Sequence, residues 1–129
     1  MKDITNLMIY LYDMKDFDFM GYTFTNKTAS FHHLIVPKRN GGLESVTNGA
    51  ILNSKTSHPY LHKIENVDKD VFEFITNEMI DMNFKGYLDL DNIRRIDDVL
   101  TVFEREHCSD TIGKGKRLIK EDYTKRFKV

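Results

Sequence analysis

The clearest hydrophobic periodicity lies in the second half of the chain. Between Lys69 and Asn83, Val71, Phe72, Phe74, Ile75, Met79 and Met82 recur at helical spacing, and Asp68 stands where an N-cap belongs. A second helix is predicted over Asn92–His107, with Ile93, Ile96, Val99, Leu100 and Phe103 on one face and Asp89 or Asp91 as its cap. Gly86 fits the break between the two. The stretch Met20–Val36 reads differently. Tyr22, Phe24, Phe31, Leu34 and Val36 favour extended backbone, and Thr25-Asn26-Lys27-Thr28 supplies a turn between two runs. Pro37 ends the strand, and Lys38–Asn48 is loop-like around Gly41-Gly42. Gly49–Leu52 predicts a second strand. Ser57 then caps a helix carrying Tyr60, Leu61 and Ile64, with Pro59 in its first turn, where a missing N–H costs nothing. Met1–Asp18 fits either a short helix or a buried strand. Strands first and helices afterwards predict an α+β fold with N-terminal strands and C-terminal helices.

Composition narrows the class. The chain has 129 residues, one domain's worth, and 40% of them are hydrophobic, enough for a packed core. A single cysteine, Cys108, excludes an intramolecular disulfide framework and any zinc knuckle built on Cys-x-x-Cys pairs. No apolar run approaches the roughly 18–20 residues of a membrane span. The N-terminal segment carries acids and lacks a small-residue cleavage site, so a cytoplasmic protein is expected.

Nineteen bases and 20 acids give a net charge of −1, which argues against a protein that coats DNA by bulk charge. The charge is unevenly spread, however. Residues 113–129 hold seven bases against two acids, a net of +5, and residues 1–112 therefore carry −6. A single domain over 1–112 with a basic C-terminal tail over 113–129 is the expected organisation. The tail's Gly113–Arg117 segment lacks the spacing of a phosphate-binding loop and reads as a basic linker.

Four of the five histidines lie between His32 and His62. His32 and His33 are adjacent on a predicted strand, so their side chains point to opposite faces. One can hold a metal while the other polarises a water. His58 and His62 are four apart on a predicted helix and can meet one ion. Asn48 stands at the mouth of the second strand. His107 closes a predicted helix, where an imidazole faces the C-terminal dipole, and is read with Cys108 as structural.

His32-His33, Pro37, Gly41-Gly42, Asn48, His58 and His62, in that order on a strand–loop–strand–helix unit, resemble the HNH endonuclease motif, the ββα-metal nuclease core, in its small phage and prophage form. The resemblance covers about a third of the chain, residues 30–66, with residues 68–107 as helical support. Asn53 and Thr56 stand where many relatives carry the first Cys pair, so packing must hold this core. The resemblance implies a metal-dependent enzyme that hydrolyses phosphodiester bonds in DNA. It implies His33 as general base, Asn48 as the orienting residue, His32 and His62 as ligands of one divalent ion, and His58 as a further ligand of that ion or a phosphate contact. Imidazole ligation suits Zn, Ni or Mn, and water-filled open positions leave Mg in play. Lys38, Arg39 and Lys55, together with Lys114, Lys116 and Arg117 of the tail, are the expected DNA-phosphate contacts. The alternative is a catalytically silent HNH-like binding protein that modulates a phage or host complex.

Overall fold

The computed structural model describes residues 3–35, 46–107 and Arg117. Its element order is α1 (Asp3–Leu11), β1 (Ala29–His33), β2 (Gly49–Asn53), α2 (Ser57–Val67), α3 (Lys69–Lys85) and α4 (Leu90–His107). The class is α+β, a two-stranded antiparallel sheet with four helices among the described residues.

The chain opens on α1, so the first segment takes the helical of its two alternatives. Met8 is fully buried, while Leu7, Tyr10 and Leu11 face outward. Asp13, in the left-handed region at φ 51°, ends the helix. Its N–H donates to the Tyr10 carbonyl and that of Met14 to the Ile9 carbonyl, the paired bonds of a Schellman cap. The following segment forms two isolated antiparallel bridges, Phe17 with Thr23 and Tyr22 with Arg117, before β1 begins.

Strands β1 and β2 pair from Ala29 opposite Asn53 to His33 opposite Gly49. The five residues of β2 are all buried, as expected of a strand covered on both sides. A Cβ at Gly49 would run into the Phe31 ring, which would have to move aside for any other residue at this entry to β2.

Three helices close the core around the sheet. Tyr60, Leu61 and Ile64 of α2, Ile75, Met79 and Met82 of α3, and Ile93, Ile96, Leu100 and Phe103 of α4 join β2 and Phe19 in one core. Asp68 caps α3 by accepting the N–H groups of Asp70 and Val71, and Gly86 ends it at φ 83°, both as the sequence predicts. The Asp89 carboxylate accepts the Asp91 N–H at the start of α4. Asn83 of α3 donates to the carbonyls of Val46 and Gly49, at 2.6 and 2.7 Å, tying the helix to the entry of β2.

The start of α2 departs from expectation. Thr56 occupies the N-cap position without a side-chain cap bond, and Ser57 lies inside the first turn. The Ser57 hydroxyl is committed elsewhere, to Asp18 at 2.5 Å.

Candidate metal centre

Strand alternation sends His32 and His33 to opposite faces. His32 is buried and points toward α2. His33 lies half-buried beside Phe31, ring edge to ring face at 5.0 Å. On α2, the spacing of four places His58 and His62 on successive turns of one face, their rings stacked at 5.1 Å. That face meets His32, whose ring lies 5.1 Å from His58 and 5.4 Å from His62. One ring nitrogen from each of the three falls within 4.8 Å of the others. Ligands of a tetrahedral ion at about 2.0–2.1 Å stand roughly 3.4 Å apart, so small side-chain rotations close the triangle. His62 is exposed and His32 is buried, so the triangle opens to solvent on one side.

Burial keeps two of the donors neutral. Burial is the main cause that lowers His32 to a pKa of about 3, with His58, His62 and His33 adding to it. Burial again, followed by His62 and His33, lowers His58 to about 4. Both rings therefore present lone pairs at neutral pH, the form a metal requires.

Contacts around the triad fix its rings. Ser30 Oγ lies 2.8 Å from His58 Nδ1 and donates to the Leu52 carbonyl at 3.0 Å. The carboxylate of Glu65 stands 3.5 Å from His62 Nδ1, one helical turn away. Ligand histidines commonly carry such an outer partner, which sets tautomer and orientation.

The other expected site residues fall as follows. Asn48 is buried at the mouth of β2, where its Oδ1 accepts the Ile35 N–H at 2.8 Å and its carbonyl the Leu34 N–H. It thus holds the two residues that follow His33. The Nε2 of His33 is buried and has no hydrogen-bond partner. Lys55 is exposed in the turn that leads into α2. Lys38, Arg39, Lys114 and Lys116 lie outside the described residues, as does Cys108.

Arg117 corrects the expectation of a phosphate contact. Its guanidinium bonds Asp97 at 2.7 Å and both carboxylate oxygens of Glu104, at 2.6 and 3.1 Å, with only 16% of the side chain exposed. It also reaches the Tyr22 hydroxyl. These partners use its charge inside the fold. His107 Nδ1–H donates to the Phe103 carbonyl at 2.9 Å, and the imidazole stacks on the Phe103 ring.

Asp18 is the positioning residue that the sequence reading missed. It is fully buried, and its carboxylate accepts from the N–H groups of Met20, Tyr22 and Asn53 and from the Ser57 hydroxyl. It therefore binds the end of β2 to the first turn of α2, one residue before His58. Burial raises its pKa to about 6, against the opposing effect of those hydrogen bonds, that from Ser57 foremost. The available signal was an acid set inside the apolar run Phe17–Tyr22, where a carboxylate is rarely left without partners.

No helix among the described residues is long and apolar enough to cross a membrane. Comparisons with protein-family models, with curated proteins and with solved structures return no match.

Proposed function

We propose that the chain is a metal-dependent endonuclease of the HNH type, hydrolysing phosphodiester bonds in DNA. The convergence of His32 from β1 with His58 and His62 from α2 carries this reading. A ββα unit is compact enough to bring one strand residue and two helix residues together, and His32, His58 and His62 would hold a single ion on the side where His62 is exposed. The donor set fits a divalent transition metal, because all three donors are imidazoles and two are held neutral by burial. When bound, the ion supplies positive charge to the phosphoryl oxygens and the leaving 3′-oxygen.

The chain's own residues do the rest. His33 takes a proton from the attacking water on a ring nitrogen, as general base. Asn48 keeps the backbone after His33 in place through its bonds to Leu34 and Ile35. Lys55 contributes a backbone-phosphate contact, which positions DNA without reading sequence. A small phage or prophage enzyme acting in the cytoplasm is the setting this reading fits.

Nicking of supercoiled plasmid in Mg, Mn, Zn or Ni, with and without EDTA, tests the proposal. His33→Ala is expected to lower cleavage by about 10²–10⁴-fold with metal binding retained. Cleavage that survives EDTA, or a fully active His33→Ala variant, would contradict it. The buried, unpartnered Nε2 of His33 favours a second reading, in which an HNH-like scaffold binds a phage or host protein without cutting. That reading predicts no nicking with any metal and a stoichiometric protein partner.

A further inference from the structure

We infer that Ser30 is a positioning residue of the metal centre, which fixes the tautomer of His58 and so aims its Nε2 lone pair at the ion. The inference rests on the histidine triad being a metal centre and adds a residue outside it.

Proton counting carries the argument. Ser30 Oγ makes two polar contacts, one with the Leu52 carbonyl at 3.0 Å and one with His58 Nδ1 at 2.8 Å. A carbonyl oxygen has no proton to give, so the hydroxyl's single proton goes to Leu52. Oγ then turns a lone pair toward the imidazole, and the hydrogen between them must belong to His58 Nδ1. The other ring nitrogen, Nε2, is left as the acceptor. It is this atom that stands 3.3 Å from His32 Nδ1.

Without metal, the direction of the whole chain follows. His32 Nδ1–H donates to His58 Nε2, His58 Nδ1–H donates to Ser30 Oγ, and Ser30 donates to Leu52. The terminal acceptor belongs to β2, a strand with every residue buried, so the relay ends on a rigid anchor. A divalent ion would replace only the first link, taking the His58 Nε2 lone pair and that of His32 Nδ1, with the His32 ring proton moved to its Nε2. The Ser30 links remain as they were. A histidine with no such partner exchanges between two tautomers and offers its Nε2 lone pair only part of the time. Ser30 lies two residues before His32 on β1, so period-two alternation puts both on the strand face that meets α2.

Two readouts on the full chain test this, long-range ¹H–¹⁵N imidazole spectra of the metal-free protein and Zn²⁺ titration against a chromophoric chelator. The wild type should show His58 protonated at Nδ1. Ser30→Ala should mix its tautomers and weaken Zn²⁺ binding by about 10–100-fold. Ser30→Thr keeps the hydroxyl and should restore both. A wild-type His58 protonated at Nε2, or a Ser30→Ala variant with unchanged Zn²⁺ affinity, would overturn the role of Ser30 alone. A wild type that binds no Zn²⁺ would overturn the metal centre itself, and the spectra would still show whether Ser30 holds His58.

Discussion

His32 Nδ1 and His58 Nε2 face each other at 3.3 Å, although 26 residues separate them in the chain. Two imidazoles this close cannot both carry charge, and burial already lowers them to about 3 and about 4. In the unfolded chain each takes up its proton near 6.5. The unfolded state therefore binds more protons as pH falls below about 6.5, and the stability contributed by the two neutral rings is lost toward about 4. Asp18 acts in the opposite sense. Its folded pKa of about 6 lies above the ordinary 3.8, so its contribution is lost as pH rises through about 6. Two histidines outweigh one carboxylate. Denaturation of the metal-free protein should show falling stability from pH 6.5 to 4.5, with a flatter profile for His58→Gln. A protein that gains stability on acidification over this range would contradict the buried, neutral pair.

Asp18 should be intolerant of its nearest isostere. In Asp18→Asn an amide NH₂ can keep only one carboxylate oxygen, while Met20, Tyr22, Asn53 and Ser57 all donate to this site. At least one buried donor is left opposed, which costs about 1–3 kcal/mol. Urea unfolding would measure it, and Zn²⁺ affinity should fall as the first turn of α2 loosens. Unchanged stability would show that the carboxylate does not anchor that turn.

The histidine triad was legible because its geometry is local. His58 and His62 need only helical spacing, and β1, β2 and α2 follow one another in the chain. Asp68 and Gly86 were legible for the same reason, since a cap depends on its immediate neighbours. Asp18 was not, because its partners Asn53 and Ser57 lie 35 and 39 residues away. Ser57 has the right chemistry for an N-cap, but a buried carboxylate claims its hydroxyl. Sequence sign also misled at Arg117. It sits among basic neighbours, yet Asp97 and Glu104 of α4 take its guanidinium.

Arg117 should accordingly behave as a structural cation. Replacing it by Ala leaves the carboxylates of Asp97 and Glu104, only 14% and 16% exposed, without their partner. Loss of one member of a buried pair costs about 3–5 kcal/mol. The expected result is a large drop in unfolding free energy with the salt dependence of DNA binding unchanged. A reduced salt slope with unaltered stability would instead mark a phosphate contact.

Asn48 should separate chemistry from metal binding. Its side chain holds the Ile35 N–H and its carbonyl the Leu34 N–H, on the backbone just beyond His33. Asn48→Ala should cost about 0.5–1.5 kcal/mol for the lost bond. Plasmid nicking should fall, while Zn²⁺ affinity stays near wild type. Parallel loss of both would place Asn48 within the metal centre.

X-ray absorption at the zinc edge of the protein loaded with one equivalent of Zn²⁺ tests the centre most directly. Three imidazole nitrogens at about 2.0–2.1 Å with oxygen completing the shell are expected. Single His32→Ala, His58→Ala and His62→Ala variants should each lose one imidazole, and His107→Ala none. A shell with fewer than two imidazoles, or one that His58→Ala leaves unchanged, would contradict the account.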